Sequence, residues 1–244
     1  MARSLAVIAG TGIAVSVACL SLAAAVARDD LGNLHFGNLF RGCGEGNVAD
    51  VVNNTREIAW DSDDEDVTIN VPATVTYRPG TGTMLIARGA PEVLSHLQVR
   101  DGRIGLDCQG LSFGSDLELS LPGLPLSDFT LNGSGRLVLE NINQPELEVS
   151  LRGSGEIEAT GSAEEMSLSI AGSGEARLAN LAVKSMEVRI AGSGDAEIAP
   201  EDEVDIRIAG SGDIPLLTQP RNIKTSIAGS GDIVHVPRTP APAP

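Results

Sequence analysis

Five carboxylates in this sequence each follow a Gly-Ser-Gly triplet directly: Glu156, Glu175, Asp195, Asp213 and Asp232. Brought into register at the strand spacing of about 4.8 Å, they would form a column of like charges that repel unless cations or hydrogen bonds intervene. Two chemistries fit such a column. A divalent-cation ladder would use several carboxylate and carbonyl oxygens, the ligand set that Ca²⁺ prefers. Alternatively, each acid accepts backbone N–H bonds at its own turn and faces water. The Gly-Gly-x-Gly-x-Asp repeat of Ca²⁺-binding β-rolls does not apply, because the period here is about twice as long and the double glycine is missing. Elsewhere the chemistry is sparse. His35, His96 and His235 are scattered, with no Cys, Asp or Glu at ligand spacing, so no metal site is expected from them. The triplet serines lack both a nucleophile elbow and a paired histidine. A phosphate-binding glycine loop is excluded by the missing Lys and following helix. The sequence calls for no cofactor.

The elements that would position these acids are set by the triplet itself. Gly-Ser-Gly begins at Gly133, Gly153, Gly172, Gly192, Gly210 and Gly229, at spacings of 20, 19, 20, 18 and 19 residues. The last four copies read Ile-Ala-Gly-Ser-Gly plus an acid, from Ile170, Ile190, Ile208 and Ile227. Counting back from each triplet, alternate residues form apolar columns: Leu131, Leu151, Ile170, Ile190, Ile208, Ile227, and before them Phe129, Val149, Leu168, Val188, Ile206, Thr225. A further column reads Ser127, Leu147, Met166, Met186, Val204, Ile223. That period of two turns one face of a strand inward and the other to water. After the triplet, Leu137, Ile157, Ala176, Ala196, Ile214 and Ile233 resume the inward set. Each copy is therefore a strand, a glycine corner, a second strand and a polar return. One copy cannot bury its own inward face, but stacked copies can. The expected fold is all-β: a right-handed parallel β-helix with rungs of about 19 residues, in which the corner glycines adopt positive φ. An antiparallel sheet of hairpins, with the triplets as loops, is the structural rival. Columns that keep face and residue type through the copies favour the helix.

Between Glu57 and Ser127 the triplet is absent, yet short alternating runs persist at Val67–Val71, Thr74–Tyr77, Met84–Ile86, Leu97–Val99, Arg103–Leu106 and Leu117–Leu121. They read as less regular rungs or as a sheet covering one end of the stack, which would otherwise expose a pairing edge. The β-helical domain is expected over 57–236, with the triplet repeats in 127–236. Residues 1–27 read as a signal peptide: a basic start at Arg3, an apolar run from Leu5, and Ala25-Val26-Ala27 for cleavage before Arg28. A retained membrane anchor is the alternative. Residues 28–56 read as a loose Gly- and Asn-rich segment, and 237–244 as a Pro-rich disordered tail. Export to an oxidising compartment, periplasmic or secreted, makes a Cys43–Cys108 disulfide the default expectation. No stretch after the leader is long and apolar enough to span a membrane as a helix.

Charge limits the partners. The chain has 17 Lys+Arg against 33 Asp+Glu, net −16, and losing Arg3 with the leader makes it −17. A nucleic-acid partner, held by phosphate neutralisation, is excluded on that balance. Enzymatic β-helices that act on acidic polysaccharides need long loops and bases around a cleft. Here the returns are short and the outward bases few: Arg152, Arg177, Arg189, Arg207 and Lys224. Arg189 and Arg207 stand beside Glu187 and Asp205, as in a solvated ion-paired face.

The recurrent Ile-Ala-Gly-Ser-Gly-Asp corners carry a resemblance. They follow the run from Val67 through Pro72-Ala73, then Gly89-Ala90-Pro91-Glu92 leading into Val99-Arg100-Asp101-Gly102-Arg103. Together these resemble the head GIN domain family of auto-transporter adhesin heads, over about Ile58 to Val236. The resemblance implies an extracytoplasmic, right-handed β-helical domain and supplies no catalytic residues. The functional expectation is a non-enzymatic structural or binding module at the cell envelope, adhesin-like, with an unidentified surface ligand. The alternative is a polysaccharide-acting lyase or hydrolase on the same fold.

Overall fold

The computed structural model describes residues 51–60, 65–108, 116–123 and 126–236. The expected leader, Cys43 of the expected disulfide, most of the segment 28–56 and the tail at 237–244 lie outside the described residues. What is described winds as a β-solenoid of about 5 turns, almost entirely strand. Its first part comprises β1 (Thr55–Ala59), β2 (Asp66–Ile69), β3 (Thr74–Arg78), β4 (Met84–Arg88), a short helix α1 (Pro91–His96), β5 (Leu97–Arg100), β6 (Arg103–Leu106) and β7 (Glu118–Pro122). The repeats follow as β8 (Asp128–Gly133), β9 (Arg136–Gly153), β10 (Glu156–Gly172), β11 (Glu175–Gly192), β12 (Asp195–Glu197), β13 (Pro200–Gly210), β14 (Ile214–Leu216), β15 (Asn222–Gly229) and β16 (Ile233–His235).

The repeats stack in parallel and in the register set by the triplets. Ile170 lies over Leu151 and under Ile190, which lies under Ile208, and the corner glycines Gly153, Gly172, Gly192 and Gly210 align in the same order. Leu168, Val149, Val188 and Ile206 are fully buried, so the column before each corner is core. Burying each such aliphatic side chain contributes about 1.5–3 kcal/mol. The polar return is not a break: β9, β10 and β11 run through it as single long strands with a bend and a register shift between rungs. Asn141 (φ 56) makes that bend in one rung and Gly161 (φ 120) in the next, two residue types that tolerate the left-handed region.

The glycine corners are held more tightly than positive φ alone would require. The first glycine of each triplet does have positive φ, from 105° at Gly133 to 144° at Gly229. In addition, the corner amides continue the ladder: Ser154 N–H donates to Gly133 O at 2.9 Å, Ser173 to Gly153 O at 2.9 Å and Ser193 to Gly172 O at 2.8 Å. A Cβ on Gly155 would sit 2.7 Å from Gly135 O, and one on Gly194 2.7 Å from Gly174 O. Both glycines of a triplet therefore let the backbone of one rung lie directly on the backbone of the last.

The first part is wound out of chain order. β2 pairs in parallel with β8 on one side and β6 on the other, while β3 pairs in parallel with β9 and β7. The rung β2–β3 thus lies between the rung β6–β7, which comes later in the chain, and the first triplet rung. The link from β7 to β8 passes Tyr77 of β3, whose hydroxyl donates to Leu126 O at 3.2 Å and lies 3.3 Å from Leu126 N. Beyond β7 the pairing turns antiparallel, with β4 on β7 and β1 on β4, while β5 closes on β6. The β5–β6 connection is Asp101-Gly102, both at positive φ, the two-residue hairpin turn for which Asp-Gly is suited. In α1, Pro91 occupies the first turn, and Val93 and Leu94 are buried. Arg56 of β1 donates to Leu94 O at 2.6 Å and Leu97 O at 2.8 Å, tying the outer strand to that helix.

Candidate functional site

The acids after the corners are each engaged. Asp195 Oδ1 accepts the Asp213 N–H at 2.8 Å, Asp213 Oδ1 accepts the Asp232 N–H at 3.0 Å, and Asp232 Oδ1 accepts the Ile233 N–H at 2.8 Å. The first two carboxylates therefore staple one rung to the next, and the amide dipoles offset repulsion down the column. Glu156 and Glu175 use arginine instead. Glu156 meets Arg136 at 2.5 Å and also Arg177, which reaches Glu175 at 2.8 Å. Among the described residues, no three His, Cys, Asp or Glu side chains are grouped so as to hold a metal ion.

A second set of outward columns runs along the strand before the corner. Glu148, Ser167, Glu187, Asp205 and Lys224 lie over one another, and beside them Ser150, Ser169, Arg189, Arg207 and Ser226. Arg189 contacts Glu187 at 2.5 Å, and Arg207 bridges Glu187 and Asp205, the latter at 2.8 Å. The ion-paired face expected from the sequence is thus present. Next to it lies a groove of about 380 Å³ lined by Glu146, Glu148, Glu165, Glu187, Glu203 and Asp205, with Met166 and Met186. Lys224 closes one end of it, its ammonium 3.0 Å from Glu203 Oε1. The hydrogen bond to Glu203, reinforced by that residue's charge, raises the Lys224 pKa above its ordinary value.

Glu164 and Lys184 form a further rung-to-rung pair at 2.8 Å on the return. The hydrogen bond and charge of Lys184 hold the Glu164 carboxyl below its ordinary 4.5, and Glu164 holds Lys184 above its ordinary 10.5. By linkage the carboxylate's contribution is present above 4.5 and is lost as pH falls through its lowered value, whereas the lysine's is present below 10.5 and lost above its raised value. Both side chains are exposed, so Lys184→Ala should leave the unfolding temperature unchanged within error. The same variant should bring the Glu164 titration midpoint, read by carboxyl NMR, back up to that of an ordinary glutamate.

The remaining candidates fall apart in space. His96 is buried and lies 2.9 Å from Asp107 Oδ1, whose other oxygen accepts Gln98 Nε2 at 2.7 Å. His235 sits in β16, in register with Leu216 of β14. His35 lies outside the described residues. The sequence reading passed over His96–Asp107 because its partners lie 11 residues apart across a hairpin whose Asp-Gly turn was the available signal. It also passed over the carboxylate groove, although Glu146, Glu165 and Glu203 recur two residues before the outward column already recognised. Among the described residues no helix is long and apolar enough to cross a membrane.

No curated protein matches the chain. The structure of a "putative adhesin" from Bacteroides fragilis NCTC 9343 superposes with a TM-score of 0.60 at 18% identity, covering 73% of this chain and 94% of that one. A "putative lipid binding protein" from Parabacteroides distasonis ATCC 8503 gives a TM-score of 0.48 at 22% identity, covering 78% of this chain and 98% of that one. At 18% identity the first likeness is one of fold. Residues 106–220 match the family described as "Putative auto-transporter adhesin, head GIN domain". That segment starts at the end of β6 and takes in five of the six triplets. The match to the head GIN domain family extends over residues 106–220 of the 244-residue chain.

Proposed function

We propose that this protein is a non-enzymatic, extracytoplasmic binding module of the cell envelope, adhesin-like in role, whose rungs present a rigid outward face to a surface polymer. The observation that carries this reading is the outward ladder itself. Glu187, Arg189, Asp205 and Arg207 neutralise one another on adjacent rungs, so the face offers repeated polar contacts at strand spacing. The family description and the structure from Bacteroides fragilis, both named as adhesins, support the same role. Catalysis on an acidic polysaccharide is disfavoured by charge. The groove beside this face is lined by six carboxylates with Lys224 as its one base, and Glu203 holds that base. Such a wall repels an anionic chain and suits neutral or amine-bearing sugars.

The test is retention of the purified protein on envelope fractions and immobilised glycans. Wild-type protein should be retained, and the double variant Arg189→Glu/Arg207→Glu, which turns the face uniformly acidic, should lose at least about tenfold in affinity, roughly 1.4 kcal/mol. Failure of wild-type protein to bind any envelope polymer would leave only a structural role. Release of soluble sugar ends from the same polymers would instead establish the enzyme.

A further inference from the structure

We propose that the C-terminal end of the solenoid is a docking surface for a second copy of this chain, joined by antiparallel pairing of the two β15 edges. The two ends of the solenoid are finished differently. Beyond the rung β6–β7, antiparallel strands β5, β4 and β1 and the buried face of α1 cover the stack. At the other end β15 bonds to β13 and closes the sheet with no further described strand. Its core-facing residues are open: Ile223 is 49% and Ile227 43% exposed, whereas Val204 and Ile208, one rung below, are 0% and 2% exposed. Among the described residues no strand pairs with the outer edge of this eight-residue strand, whose isoleucines are uncovered; Asn222–Gly229 has no Pro and no inward charge, and its one charge, Lys224, pairs with Glu203 of the rung below.

The register and the charge pattern favour a second copy as the occupant. Opposed residues in an antiparallel pair share a face, so the two-fold axis must pass through a residue to keep both sets of isoleucines on the core side. An axis at Thr225 puts Ile223 opposite Ile227 of the other copy, in both directions, and Thr225 opposite its own equivalent. It also sets Lys224 opposite Ser226 and Asn222 opposite Ala228, so no charge faces a like charge. Such self-complementarity is what an isologous dimer requires. This end is also where two acidic chains repel least. Residues 218–236 carry Arg221 and Lys224 against Asp232, net +1, while residues 198–217 carry Arg207 against five acids, net −4.

Sedimentation equilibrium of the purified protein should show a concentration-dependent dimer. Thr225→Cys should give a disulfide-linked dimer joined at position 225, since opposed residues of an antiparallel pair stand about 4.5–5.5 Å apart at Cα, within disulfide reach. Asn222→Cys, set opposite Ala228, should link far less. Ile227→Asp should weaken the dimer about 100-fold, because it places an unpaired carboxylate in the joint, while the monomer stays folded with a lowered unfolding temperature. A monomer at every concentration, with no 225–225 link, would overturn the proposal. So would a chain that dimerises only once residues 237–244 are removed, which would assign this end to the chain's own tail.

Discussion

Gly192→Ala should cost about 1.5–4.5 kcal/mol, a large share of the 5–15 kcal/mol that stabilises a typical domain. Two effects add. Gly192 has φ 130, where a residue with a Cβ is strained by about 1–3 kcal/mol. Its Cβ would also run into Gly172 O, the carbonyl that accepts the Ser193 N–H at 2.8 Å. Relieving that clash means lifting one rung off the next at the corner, which gives up a half-exposed ladder bond worth about 0.5–1.5 kcal/mol. Gly133→Ala is the control. It occupies the same place in its triplet with φ 105, yet a Cβ there meets nothing within 4 Å. That variant should lose only the backbone term, about 1–2 kcal/mol. Urea unfolding of the two variants separates the contributions. Equal losses would mean that φ alone demands glycine and that rung contact adds nothing.

Leu168→Ala should destabilise by about 2–5 kcal/mol, and Ile227→Ala by less than about 1 kcal/mol. Leu168 lies between Val149 and Val188 in the stack, and all three are 0% exposed. Its removal leaves a cavity that neighbouring rungs, pinned by their own ladders, can fill only in part. Ile227 holds the equivalent place one residue pair further on in the end rung but is 43% exposed, so truncation there removes little buried area. Chemical denaturation should be run at concentrations below any dimer transition, so that the Ile227 value reports the monomer. A loss at Ile227 matching that at Leu168 would show the end rung to be covered.

Much of the fold was legible because a stack repeats its own evidence. One alternation such as Val188-Arg189-Ile190 fits many folds, but the same alternation ending in Gly-Ser-Gly at near-constant spacing fixes which residues lie over which. The six short runs read between Val67 and Leu121 are all strands, β2 to β7. Their order in space was not legible. Nothing local to Val67–Ile69 shows that it pairs with both Arg103–Ile104 and Asp128–Leu131, since strand pairing is decided by distant segments competing for one edge. Helix α1 was missed because six residues are too few for an apolar stripe, although Pro91-Glu92 is a helix start signal. For the site, the acid column was legible with backbone N–H groups as one set of partners; that Asp195 and Asp213 take theirs from the next rung was not. Whether Asp195 takes a cation or the amide of Asp213 depends on a separation of 2.8 Å that rung stacking sets and sequence does not print.

The triplets are stacked corners inside a solenoid, and the proposed binding ladder depends on the rigidity that this stacking gives the outward face. Amide hydrogen exchange at the triplet serines tests it most directly. Ser154, Ser173, Ser193 and Ser211 each donate to the corner carbonyl of the preceding rung at 2.8–2.9 Å, so their exchange should be slow and should approach the free energy of global unfolding. In a sheet of hairpins these serines would sit at loop tips in water. Rapid exchange at all four, alongside protected strand amides, would contradict the stacked solenoid and the binding face built on it.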